Sequence, residues 1–190
     1  STNIGTAHNK IVSLGDLSTV IGPGQQNIVG FPISSYFARK VVSADRDPAT
    51  GQATNVLCDG GPGGSGPVDC ATAPFVFVGS PTPTITGSVG NTFTFGKRLR
   101  LYALVDFKHG NRLYNAVEEL RCAAEIGIPF CDANYNPTKY PIRYIAETNP
   151  VLATNGVNDE FIQDASFAKL REISLTYALP ERFIAGVLGA

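Results

Sequence analysis

The sequence predicts an all-β fold of antiparallel amphipathic strands joined by short turns and long loops. Three runs carry that prediction. In Thr84–Phe95 and Lys97–Lys108 side chains alternate with period two around a tight turn at Gly96–Arg98. Leu99, Leu101, Ala103, Val105 and Phe107 share one face of the second run, and Arg98, Arg100, Tyr102, Asp106 and Lys108 share the other, with Leu104 as the exception. In Asp164–Leu179, Phe167, Ile173, Leu175, Tyr177 and Leu179 alternate with Ser174, Thr176 and Ala178, and Pro180 ends the run. Alternation of this kind gives a strand one apolar and one polar face. The two hairpin runs are also about as long as a tilted strand needs to cross a bilayer, roughly 9–11 residues. The expected setting is therefore a large transmembrane β-barrel, with apolar groups toward lipid and polar groups toward the lumen.

The remaining elements follow in order. Lys10–Leu14 reads as the end of a strand, and Gly22–Gly24 as a turn. Phe31–Val42 reads as extended, because Tyr36, Val41 and Val42 favour strand. Residues 43–74 read as a loop: SADRDPATGQ has turn chemistry and GGPGGSGP cannot hold regular structure. Phe75–Val78 is a short strand, broken by Ser80–Pro83. Residues 109–160 form a second long connection holding one short helix, Leu113–Ala124, with Leu113, Val117 and Leu120 at helical spacing. The resulting long loops span about 43–83 and 109–163, and short turns sit at the opposite rim, a barrel asymmetry.

Composition narrows the function. The chain has 190 residues, room for one domain. With 15 basic and 16 acidic side chains it carries no electrostatic footprint for nucleic acid. No run approaches the roughly 20 apolar residues of a membrane helix, which says nothing about barrel strands. The opening STNIGTAHNK has neither the basic start nor the apolar segment of a signal peptide. The chain stops at ERFIAGVLGA, just past a turn signal. A mature chain or an internal piece of a longer one is expected, the internal piece being favoured.

The cysteines fall into two local pairs, Cys58 with Cys70 and Cys122 with Cys131. Such pairs read as disulfides formed in an oxidising compartment. Free thiols and a metal site are the alternatives, although neither pair has C-x-x-C spacing and histidine is scarce. Asp45 and Asp47, with Gly51, are candidates for a calcium loop. The competing reading is an ordinary turn, because the run lacks a closing bidentate carboxylate. That structural calcium apart, no cofactor is expected. Glu118 and Glu119 read as a solvated helix face rather than an acid–base pair. His8 and His109 stand without a nucleophile elbow, and no enzyme activity is expected. Phe130, Tyr135, Tyr140 and Tyr144 lie in the second long loop, where they can stack on a ligand, meet a lid partner, or pack the loop together. Lys169 and Arg171 share the face of Phe167 and break the apolar pattern; a position above the hydrocarbon or a β-bulge would account for them.

Three segments resemble a known family. GSPTPTITGSVGNTFTFGKRLRLYALVDFKHGNRLYN is similar to the C-terminal barrel region of SusC/RagA-type TonB-linked (TonB-dependent) outer-membrane transporters. Gly79, Pro83, Asn91–Thr94, Gly110 and Tyr114–Asn115 fill the positions of the family pattern. FIQDASFAKLREISLTYALP resembles its later signature through Asp164, Ser166–Phe167, Leu170–Arg171, Ile173–Tyr177 and Pro180. Val29–Phe37 resembles its G-x-P-x-x-x-x-F/Y segment. The resemblance covers about residues 9–182. It implies import of an oligosaccharide or peptide through a plugged barrel of about 22 strands in the bacterial outer membrane. It also implies a SusD-like surface lipoprotein as lid and the TonB complex as energy source. Arg98, Arg100, Tyr102, Asp106 and Lys108 would then face the lumen. The 190 residues hold no plug domain and too few strands to close such a barrel, so residues 1–190 are expected to be a partial C-terminal barrel region. The alternative is a self-assembling structural β-protein, an extracellular tube or filament subunit, because unpaired strand edges invite a second copy.

Overall fold

The computed structural model describes residues 1–16, 20–22, 24–64, 66–122 and 131–180. In chain order the strands are β1 (Thr2–Thr6), β2 (Val20–Gly22), β3 (Gln25–Gln26), β4 (Ser35–Ala38), β5 (Val41–Arg46), β6 (Ala53–Cys58), β7 (Val68–Asp69), β8 (Val76–Gly79), β9 (Ile85–Phe95), β10 (Leu99–His109), β11 (Arg112–Tyr114), β12 (Ile162–Asp164) and β13 (Phe167–Tyr177). The helices are α1 (Ala116–Cys122), α2 (Asp132–Tyr135), α3 (Ile142–Glu147) and α4 (Pro150–Thr154), with 3-10 turns at Pro137–Lys139 and Asp159–Phe161. Among the described residues every strand pairing is antiparallel.

The chain divides into two compact units. Unit 1 comprises Ser1–Ala7, Pro83–Gly110 and Ser166–Ala190; unit 2 comprises His8–Thr82 and Asn111–Ala165.

Unit 1 is a four-stranded sheet in the order β1-β9-β10-β13. The alternation read from sequence sets its register. Leu101 lies between Phe93 and Leu175, Leu99 between Phe95 and Tyr177, and Val105 between Val89 and Leu170, so these share the apolar face. On the reverse, Arg100 lies between Thr94 and Thr176, and Tyr102 between Thr92 and Ser174. A register shift opposite Leu104/Val105 gives β13 one extra residue around Arg171. That bulge turns Phe167 and Lys169 to the polar face, opposite Lys108 and Asp106. It accounts for the break in the apolar pattern.

Two aromatic rings of β10 fix β9. A Cβ on Gly87 would lie 2.6 Å from the Phe107 ring, and one on Gly90 would lie 2.9 Å from the Tyr102 hydroxyl. At Gly87 the Asn3 carbonyl oxygen, also 2.6 Å away, is backbone and cannot yield, so glycine is required there; at Gly90 the end of the Tyr102 side chain would have to shift. Gly96, at φ +61°, opens the hairpin turn.

Both long connections begin and end at one end of this sheet. Ala7 donates to Thr84 O (3.0 Å), Thr84 to His109 O (3.0 Å), and the Gly110 amide to the Ser166 hydroxyl (3.0 Å). Among the described residues the opposite end carries the tight β9–β10 turn and the end of β13 at Tyr177.

Unit 2 holds three small sheets, β2-β3-β4-β8, β5-β6-β7 and β11-β12, and α1 to α4. Residues 43–74, read as a loop, contain the β5–β6 hairpin and β7. Its irregular pairing and the left-handed Asn55 (φ +47°) hide the strand period. Arg46 pins the hairpin turn: its guanidinium donates to Gly51 O (2.8 Å), Pro137 O (2.8 Å) and Tyr140 O (2.7 Å). Leu113, placed by its spacing on a helix, lies in β11, because Arg112–Tyr114 pair with Ile162–Asp164. Lys10–Leu14 forms no strand. Three apolar clusters fill unit 2, centred on Val41, Cys58, Ala146 and Val157; on Cys122, Ile145 and Phe161; and on Tyr36, Ala38 and Ile162. Among the described residues, every buried hydrophobic side chain belongs to unit 2.

Candidate functional site

On the polar face of unit 1, β10 presents Arg100, Tyr102, Asp106 and Lys108 in one row, as their alternation requires. Arg98 stands apart in the turn. Around Asp106 the row becomes a shallow cleft of about 260 Å³, lined by Asn3, Thr86, Ser88, Lys108, Phe167 and Arg171. Arg171 Nε donates to Asp106 Oδ2 at 2.9 Å and its guanidinium lies 6.0 Å from the Phe167 ring. The bulge is what brings Arg171 and Phe167 to this cleft. Amide, hydroxyl, charged and aromatic groups gathered on one sheet face suit binding of a polar solute.

The opposite face of the same sheet is apolar and open. Leu175 is 68 % exposed, Ile173 65 % and Ile4 62 %. Phe93, Phe95, Val89 and Leu170 are also exposed. No helix among the described residues is long and apolar enough to cross a membrane, which has no bearing on strands.

In unit 2 both expected disulfides are formed, Cys58–Cys70 and Cys122–Cys131. Each closes a short loop, and all four cysteines are buried. Asp47 accepts from the Ala49 amide (2.8 Å) and the Thr50 hydroxyl (2.9 Å), and these bonds hold its carboxyl below the usual range. Asp45 accepts from the Asn55 side chain at 2.9 Å. Both calcium candidates thus serve their own turn. Among the described residues no three His, Cys, Asp or Glu side chains are grouped to hold a metal ion.

The loop aromatics divide. Tyr135 is 67 % exposed. Tyr140 stacks on Tyr144 with ring centroids 5.5 Å apart, and Tyr144 meets Phe161 edge-on at 5.7 Å. The Tyr144 hydroxyl donates to Glu118 Oε1 at 2.7 Å, and burial and that bond raise it far above an ordinary tyrosine. Tyr140 and Tyr144 therefore pack the loop, while their edges line a cleft with Glu118, Arg121 and Asp132. Phe130 lies outside the described residues.

Two constellations escaped sequence reading. Glu118, expected on a solvated face, is the hub of a polar network: it also accepts from Asn115 (2.8 Å) and Gln163 (2.8 Å). Its partners lie up to 45 residues away, so no local pattern could reveal them. The second is a carboxyl cluster at the end of α3. Glu147 is fully buried, and Asp159 beside it pairs with Arg143 at 2.8 Å. The Ile142, Ile145 and Ala146 spacing marks the buried face of α3, and that signal was available. A polar cleft of about 520 Å³ runs past Arg143, Asp159 and Glu160 to Lys40, Arg112 and Gln163.

No protein-family model matches the chain, and no curated protein matches it.

Proposed function

We propose that this chain is a section of wall and outer loops of an outer-membrane barrel of the SusC/RagA-type TonB-linked kind. Its function is energised uptake of a large nutrient, an oligosaccharide or peptide, with no chemistry of its own. One observation carries the reading. The unit 1 sheet has three 11-residue strands, an exposed apolar face, a polar face and, among the described residues, no buried hydrophobic core. At about 3.3 Å per residue, 11 residues extend about 36 Å, enough for a tilted crossing of the hydrocarbon layer. Lipid covers such a face without a second protein layer.

Three further features support the reading. Tight turn and long connections segregate to opposite ends of the sheet, as in outer-membrane barrels. The disulfides sit in the long connections, which would face the oxidising exterior. The polar row Arg100, Tyr102, Asp106 and Lys108 then faces the lumen. The SusD-like lid and the TonB complex enter through the family resemblance alone, with Tyr135 as an exposed contact for lid or ligand.

Paired substitutions in the full-length protein test the assignment of faces. Val105→Arg should cost about 2–4 kcal/mol of membrane insertion more than Leu104→Arg, because position 105 faces lipid near mid-strand and 104 faces the lumen. Equal losses would overturn the reading.

A second reading has its own observation. Among the described residues β1 and β13 each pair on one side only, leaving both sheet edges open. Open edges and an apolar face also suit a self-assembling tube or filament subunit. A native chain near 20.1 kDa in detergent-resistant assemblies would favour this alternative. A chain several times longer in the outer-membrane fraction would favour transport.

A further inference from the structure

Glu147 is the last residue of α3 and has no solvent exposure. Its Oε2 accepts the Glu160 amide at 2.8 Å. Its Oε1 is buried and receives no hydrogen bond from any donor. Asp159, within hydrogen-bonding reach of Glu147, is already supplied with donors: the Val41 amide on Oδ1 at 3.0 Å and Arg143 on Oδ2 at 2.8 Å. Its side chain is only 7 % exposed.

Two adjacent buried carboxylates facing one arginine are costly, because each ion has left water and they repel. Arg143 also lies 3.3 Å from Glu160 Oε1, so a single cation already serves two carboxylates before Glu147 is counted. The charged groups that act on Glu147 are Asp159 and Glu160 on the 3-10 turn, and Arg143 of α3 pairs with both of those. β5 and β6, packed on the same helix, bring apolar Val41, Ala44, Ala53 and Val56 to the adjoining core. Asp159 has two donors, one of them cationic; Glu147 has one amide. Of the two, Glu147 is the group that should keep a proton.

We infer that Glu147 is the neutral acid in the folded protein and that its Oε1–H donates to Asp159, so that one proton fastens α3, the 159–161 turn and β5 together and unit 2 loosens as the pH rises. The buried oxygen without a donor is then the oxygen that carries the proton. The electrostatics agree: burial first, then the hydrogen bond to Asp159 and its charge, raise the Glu147 carboxyl, and only the Glu160 amide opposes them. The sign follows from linkage. A carboxyl raised on folding contributes stability that is complete below its unfolded value, about 4.3, and is lost as pH rises through the folded value. The inference concerns unit 2 alone and holds whether or not the sheet lies in a membrane.

The test is chemical unfolding of unit 2 in the full chain, disulfides intact, from about pH 5 to about pH 9. Wild type should lose up to about tenfold in its folded-to-unfolded ratio per pH unit from this one group. E147Q supplies an amide donor to Asp159 and an acceptor to Glu160 without titrating, so its loss per unit should be smaller by that share. Glu119, also raised by burial, adds a slope of the same sign to both proteins and cancels in the difference. Infrared spectroscopy near neutral pH should show a protonated-carboxyl band in wild type that E147Q lacks. If E147Q does not fold, wild type decides: protection of the Glu160 amide, corrected for intrinsic exchange, should fall with rising pH. Equal slopes in the two proteins, no protonated-carboxyl band, or pH-independent protection of Glu160 would each overturn the inference.

Discussion

The two units solve opposite problems with the same chain. Unit 2 folds around clusters of fully buried side chains and closes two short loops with disulfides. Unit 1 has long, regular strands and good cross-strand pairs, yet among the described residues it buries no hydrophobic side chain. A sheet with one apolar face must cover it with another layer or with lipid. The regular strands are thus the part that depends on surroundings, and the irregular loops are the part with its own core. That inversion separates this chain from an ordinary β-sandwich, in which the sheets make the core and the loops decorate it.

One residue type tests the contrast most strongly. Phe161 is 0 % exposed in unit 2 and Phe93 is 49 % exposed in unit 1. Phe161→Ala should destabilise unit 2 by about 3–5 kcal/mol in chemical unfolding. Phe93→Ala should cost well under that in detergent-free water, and its effect should appear in membrane insertion instead. Comparable losses in water would mean the sheet has a protein layer over it.

The disulfides give a smaller effect of the same sign. Replacing Cys58 and Cys70 by serine should remove about 2–4 kcal/mol from unit 2 and leave the β9–β10–β13 register intact. Amide exchange resolved by residue would read both at once. Loss of protection in β9 or β10 would show that the sheet relies on the loop unit.

The sequence was legible where structure is local and periodic. β9 and β13 lie within the runs marked by alternation, β10 passes its run by one residue, and Lys169 and Arg171 signalled the bulge. The cysteine pairs were legible because short spacing limits what they can reach. Other features depend on distant partners. Thr2–Thr6 has one large apolar residue, Ile4, and becomes a strand by pairing with Thr86–Val89 and Ile85 far along the chain. The β5–β6 hairpin hides behind Asp, Pro and Gly because its register slips at Val41/Ser43 and Ser43/Asp45. The apolar spacing of α3 marks a buried face, but the role of Glu147 exists only once the 159–161 turn is beside it.

The central claim is that lipid covers the apolar face of unit 1. A photo-crosslinking residue placed at Leu175 or at Ser174, in the full-length protein in its native membrane, tests it directly. Leu175 lies on the apolar face opposite Leu101, and Ser174 lies on the polar face opposite Tyr102. The account predicts lipid adducts from position 175 and none from 174. Protein adducts from 175, or equal labelling at both positions, would contradict it.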